Sequence, residues 1–149
     1  MMLASNGTVL AQEGAFFGDA AKISQLPDYV PNAVIAIEDH RFRSHHGIDP
    51  IGLVRAMSRN ILARHWVQGG STLTQQLAKN LFLTQEKTLT RKAQEAVLAI
   101  WLESRFTKDE ILQLYLNRVY FGSGAYGIEQ AAHTFFNKPA SEPSVLEAA

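Results

Sequence analysis

Gly69-Gly70-Ser71-Thr72-Leu73-Thr74-Gln75-Gln76-Leu77-Ala78-Lys79-Asn80 is the stretch on which the reading of this chain turns. The glycine pair breaks what precedes it, and Ser71 or Thr72 can cap a new helix, with Thr72 and Gln75 at capping-box spacing. That helix is expected to reach about Phe82. Leu73 and Leu77 turn toward a core, while Gln75 shares a face with Lys79 and Gln76 with Asn80. Free amides and the helix dipole at such a terminus favour a phosphate. Ordinary capping explains the same residues equally well. The nucleotide P-loop does not fit, because no lysine directly precedes the serine or threonine.

Helix signals continue on both sides. Upstream, Asp49-Pro50 supplies an N-cap and a first-turn proline for a helix to about Arg64. Pro31 opens an apolar run, Asn32 to Ile37, predicted as a short buried helix that delivers Glu38 at its end. Downstream, a helix over roughly Thr90 to Arg105 is predicted to turn Ala93, Ala96, Val97, Ile100 and Trp101 to the core. Thr107 and Glu110 cap a helix through Ile111, Leu114, Tyr115 and Val119, stopped near Gly122, Gly124 and Gly127. A short helix follows from Ile128 to Phe136, and Ser144 with Glu147 opens one more that the chain end is expected to cut short. Only Asn6-Gly7 and the run to Ala11 read as strand, expected without a partner. The expected architecture is thus mainly α.

The 149 residues, 46% of them hydrophobic, suit one domain with a single core. Fourteen basic and 14 acidic residues cancel, so no overall field draws the molecule to nucleic acid and anion recognition has to be local. The absence of cysteine excludes disulfides and thiolate metal sites but leaves the compartment open. No apolar run is long enough to span a bilayer.

Three clusters carry candidate chemistry. In Glu38-Asp39-His40-Arg41-Phe42-Arg43-Ser44-His45-His46-Gly47-Ile48-Asp49, a carboxylate leaving an apolar helix is expected to be partly desolvated and usable as a base. The competing reading is a salt-bridge cluster of Glu38 or Asp39 with Arg41 or Arg43. Adjacent histidines point apart, which argues against a zinc site. The second cluster is the glycine-led helix above. In the third, Arg91 and Glu95 sit one turn apart, a spacing that an intrahelical ion pair explains without catalysis. Beyond these, Ile51 to Trp66 mixes Leu53, Val54, Met57, Ile61 and Leu62 with Arg55, Arg59 and Arg64. That pattern suits a helix at a lipid interface or an ordinary amphipathic helix on a core.

Taken in order, five blocks resemble the peptidoglycan glycosyltransferases of bifunctional penicillin-binding proteins and monofunctional transglycosylases. They are Glu38-Asp39 with Phe42, His45 and Gly47; Gly69 to Asn80; Arg91-Lys92 with Glu95 and Glu103; Lys108 to Gly122; and Gly124 to Lys138. The resemblance implies a lysozyme-like helical fold with a small membrane-facing lobe at Ile51 to Trp66. It implies that Glu38 is the general base toward the acceptor 4-hydroxyl, and that Glu95 assists departure of the lipid pyrophosphate, directly or through a divalent cation (Mg or Mn). By the same likeness Lys79, Arg91 and Lys92 bind the diphosphate, and Asp39, Ser71, Thr72, Gln75, Gln76 and Asn80 line the cleft. No organic cofactor is implied. The implied partners are lipid II, the nascent glycan strand, the outer face of the cytoplasmic membrane and a transpeptidase domain in a longer protein. Asn137 replaces the usual glycine of the last block. On this reading the chain lacks a membrane anchor and is truncated at its C-terminus. A lysozyme-like cleaving enzyme and a non-catalytic module that binds lipid II or a partner are the alternatives.

Overall fold

The computed structural model describes residues 2–3, 9–11, 20–65, 69–82 and 88–148. Among them are seven α-helices: α1 (Tyr29–Glu38), α2 (Pro50–Ala63), α3 (Leu73–Phe82), α4 (Leu89–Arg105), α5 (Lys108–Leu116), α6 (Ile128–Phe136) and α7 (Val145–Ala148). Four short strands form two antiparallel pairs, β1 (Met2–Leu3) with β2 (Val9–Ala11) and β3 (Tyr120–Gly122) with β4 (Ala125–Tyr126). The fold is mainly helical, as expected. The strand near Ala11 does have a partner, β1, contrary to the expectation; the Asn6-Gly7 turn lies outside the described residues.

The core gathers where α3 meets α4 and α5. Leu73, Leu77, Ile111 and Leu112 are fully enclosed, joined by Ala78, Leu102, Tyr115, Leu116, Phe42 and Val30. The cap at the start of α3 forms as its spacing predicts. Gln75 N–H donates to Thr72 Oγ1 (3.1 Å), and Thr72 N–H donates to Gln75 Oε1 (3.0 Å). The Thr107–Glu110 box at the start of α5 forms in both directions as well, and so does the Ser144–Glu147 box at α7.

Three expectations need correction. β3 and β4 occupy a stretch read as helix end and glycine breaks. Gly122 (φ +98°), Gly124 (φ +78°) and Ser123 (φ +49°) turn the chain left-handed between them and close a hairpin rather than a simple stop. The predicted inward stripe of α4 is wrong: Ala93 is exposed, as are Val97 (67%), Ile100 and Trp101, and the buried face is Glu95, Ala99 and Leu102. Helix α1 starts at Tyr29, two residues before Pro31, and is buried only at Val30 and Pro31, so its last turn stands out from the core with Ile37 68% exposed.

Asn137 closes α6 in the left-handed region (φ 52°, ψ 38°), the backbone conformation that a glycine at this position would supply and that asparagine tolerates better than most residues.

Candidate active site

The site grows from the junction of α1, α3 and α4. Glu38 is the last residue of α1, and its carboxylate is exposed where partial desolvation was expected. Arg41 pairs with Asp49 (3.2 Å) and Arg43 with Asp109 (3.0 Å), so neither of these two takes up Glu38 or Asp39. Instead Gln76 Nε2 donates to Glu38 Oε2 (3.0 Å).

Asp39 is different in kind. It is buried, and its Oδ2 accepts from His45 Nε2 (2.8 Å) and from the Leu73 backbone N–H (3.0 Å). A carboxylate only accepts, which puts the imidazole proton on Nε2. One carboxylate oxygen thus ties the end of α1, the following loop and the first turn of α3 together. Thr72 adds a second tie by donating from Oγ1 to the Gly47 carbonyl (2.6 Å). Gly47 is required there, because its φ is +85° and a Cβ would sit 2.8 Å from the Ala99 backbone of α4.

Across the gap, α4 turns Glu95 inward, 2% exposed. Its carboxylate faces Arg91 Nη2 (3.2 Å) and Lys92 Nζ (2.7 Å), and Lys92 also donates to Ser71 Oγ (2.6 Å). The Arg91–Glu95 spacing is therefore part of a charge cluster built around one buried carboxylate, more than a surface ion pair.

These groups line one cleft of about 460 Å³, a size that accommodates a small-molecule substrate. Glu38, Ser71, Gln76, Lys79, Arg91, Lys92 and Glu95 are on its walls, with Ile37 and Gly69. Asp39 and Thr72 are not; they border an adjoining polar groove shared with His40, Arg55 and Arg59. Gln75 is buried in the cap, and Asn80 is exposed and lines neither depression.

Comparisons with known proteins show the family. The family described as Transglycosylase matches residues 6–149. This chain belongs to the transglycosylase family. It is similar to penicillin-binding protein 1A of Aquifex aeolicus (strain VF5), 56% identical over 127 residues, covering 85% of this chain and 18% of that protein. It is also similar to penicillin-binding protein 1F of Bacillus subtilis (strain 168), 50% identical over 131 residues (88% and 18%). Penicillin-binding protein 1A of Escherichia coli (strain K12) is 46% identical over 145 residues (97% and 17%). The chain thus spans less than a fifth of the length of these curated relatives.

Two residues to which the sequence assigns no site role contribute to this candidate site. Tyr115, read as core, donates its hydroxyl to Gln76 Oε1 (3.1 Å). Burial, with the charge of Glu38 as the lesser cause, pushes its phenol far above the ordinary tyrosine pKa, so it stays a donor. Glu103 accepts from Thr74 Oγ1 (2.7 Å) and Lys108 Nζ (2.6 Å), fastening α3 to α4 and α5 behind the cleft. Both fall in blocks of the resemblance, which name Glu103 and span Tyr115 without giving either a role.

Proposed function

We propose that this chain is a peptidoglycan glycosyltransferase that joins lipid-linked disaccharide units into glycan strands. The observation that carries the reading is the single cleft lined by Glu38 together with Glu95, Arg91, Lys92 and Lys79. An exposed carboxylate in the same cleft as a cationic cluster suits a reaction in which a hydroxyl loses a proton and a diphosphate departs.

In this scheme Glu38 takes the proton of the acceptor 4-hydroxyl. The oxygen attacks C1 of the donor sugar, and the bond from C1 to the pyrophosphate oxygen breaks. Negative charge then gathers on the phosphate oxygens, where Arg91 and Lys92 are already held by Glu95 and need little reorganisation to meet it, with Lys79 lining the same cleft. Glu95 holds Arg91 and Lys92 in place. A glycoside hydrolase also uses two carboxylates, but its leaving alcohol needs a proton, whereas a pyrophosphate needs cations. The cations in this cleft favour transfer over cleavage.

A divalent cation is a poor fit to these side chains. The Glu95 carboxylate is already flanked by two basic groups, and among the described residues no group of three or more histidine, aspartate or glutamate side chains could hold a metal ion. The scheme therefore relies on the protein's own cations.

The lipid part of the substrate calls for a membrane surface, and the proposed contact is α2. Ile51, Leu53, Val54, Met57, Ile61 and Leu62 are all exposed on it, between 46% and 84%, while only Ala56 is buried. Trp66, the end of the segment read as suiting a lipid interface, lies outside the described residues. No described helix is long and apolar enough to cross a membrane. The placement is the outer face of the cytoplasmic membrane, beside a transpeptidase domain where the chain is part of a longer protein.

The test is electrophoresis of a labelled lipid-linked disaccharide after incubation with the chain in detergent. A ladder of glycan products is expected, absent with Glu38→Gln at unchanged helical circular dichroism. Release of soluble fragments from purified cell walls, with no ladder, would refute transfer in favour of cleavage.

A further inference from the structure

The hydrogen bonds behind Glu38 begin in the core. Tyr115 on α5 is 3% exposed among Ile111, Leu112 and Leu116 of its own helix and Leu73 and Leu77 of α3. Its hydroxyl donates to Gln76 Oε1 (3.1 Å), and Gln76 Nε2 donates to Glu38 Oε2 (3.0 Å). The chain runs from a rigid buried ring, through one half-buried carboxamide, to an exposed carboxylate.

Its direction is fixed by chemistry. A carboxamide has one accepting and one donating end of nearly equal shape, so left alone it can swing through 180°. An ionised carboxylate only accepts, so the NH₂ end must face Glu38 and the oxygen must face the phenol. The phenol must then donate. Without that donor, the carboxamide is held only at its Glu38 end and its core end is free to move.

The consequence falls on the reactive group. Glu38 has a long, exposed side chain with several rotamers, and a general base has to come within about 2.6–3.2 Å of the proton it removes. Resting on the reading of Glu38 as that base, we propose that Tyr115 is a positioning residue: it locks the Gln76 carboxamide with its NH₂ toward Glu38 and so aims the carboxylate into the cleft. Tyr115 touches no substrate in this scheme. A phenylalanine would fill the same space, so the hydroxyl is there for direction and not for packing.

The experiment is a double-mutant cycle in the full chain, using Tyr115→Phe, Gln76→Ala and the double variant. Polymerisation of lipid-linked disaccharide gives kcat and KM, and NMR follows exchange of the Gln76 side-chain amide protons with water. Tyr115→Phe is expected to lower kcat about tenfold, the scale of loss from a small misplacement of a reacting group, while KM stays within about twofold. In the Gln76→Ala background the same change is expected to add nothing, because the link is already broken. The Gln76 amide protons are expected to exchange faster in Tyr115→Phe than in the parent.

An unchanged kcat in Tyr115→Phe, or an equal loss with and without Gln76, would overturn the proposal in favour of a packing role. A parent chain that makes no polymer would instead overturn the reading of Glu38 as the base. Amide exchange still decides the lock in that case, since unchanged exchange in Tyr115→Phe contradicts it.

Discussion

Helices α3 and α4 wall the same cleft but turn different chemistry inward. α3 encloses Leu73, Leu77 and Ala78 completely, and shows Gln76 and Lys79 to the cleft. α4 encloses Ala99 and Leu102 together with the charged Glu95, and leaves Val97, Ile100 and Trp101 exposed. The apolar stripe of α3 is its core face; the more obvious stripe of α4 is its outer face. A helix whose carboxylate has to reach a cleft is rotated by that need, and its neighbours follow at 100° per residue wherever that carries them.

The largest effects are expected from truncations on the two inward faces. Leu77→Ala in α3 and Leu102→Ala in α4 are each expected to destabilise by about 2–5 kcal/mol in urea unfolding. A negligible cost for Leu102→Ala would mean that α4 is rotated differently. Next in size is Gly47→Ala, which strains a φ of +85° and drives a Cβ against the α4 backbone; about 1–3 kcal/mol is expected from the same unfolding curves. On the outer stripe, Val97→Ser is expected to change stability by no more than about 0.5 kcal/mol. A loss as large as that of Leu102→Ala would restore the stripe to the core.

The smallest effect separates two helix caps of one design. The α3 box uses the neutral Gln75, whereas the α5 box uses Glu110, whose carboxyl is held below its ordinary pKa of 4.5 by the Thr107 backbone N–H first and the Thr107 hydroxyl second. As pH falls below about 4.5 the unfolded chain takes up this proton before the folded one, so stability present at neutral pH declines toward the depressed folded value. Glu110→Gln is expected to flatten stability against pH in that range, and Gln75→Ala to leave its slope unchanged. Denaturant midpoints across pH 3–6 check both, that window being set by the ordinary glutamate pKa of about 4.3.

Local rules explain what was legible in the sequence. The Thr72–Gln75, Thr107–Glu110 and Ser144–Glu147 boxes each depend on residues three apart, and all formed as spaced. Ile128 to Phe136 was read with its observed bounds. The failures were tertiary. Periodicity finds a helix but assigns its inward face to the apolar stripe, which α4 contradicts through its buried Glu95. The hairpin of β3 and β4 was missed because its strands are only three and two residues long, too short for alternation to register. Of the site, the resemblance named Glu38, Lys79, Arg91, Lys92 and Glu95, and all of them line the cleft. Asp39 lines the adjoining groove, with its Oδ2 taken up in bracing α1 against α3, a role no spacing reveals because His45 and Leu73 reach it from other segments. Tyr115 was hidden for the same reason: its partner Gln76 is 39 residues away.

The proposed division of the reaction within one cleft makes Glu38 the base and Lys79, Arg91 and Lys92 the cations. It is tested most directly by measuring lipid-linked disaccharide binding and polymerisation together in the parent, Glu38→Gln and Lys79→Ala. The expected result is that Glu38→Gln binds as the parent does yet polymerises at least about 100-fold more slowly, the usual scale for losing a general base, while Lys79→Ala weakens binding itself. Polymerisation by Glu38→Gln at the parental rate would contradict it.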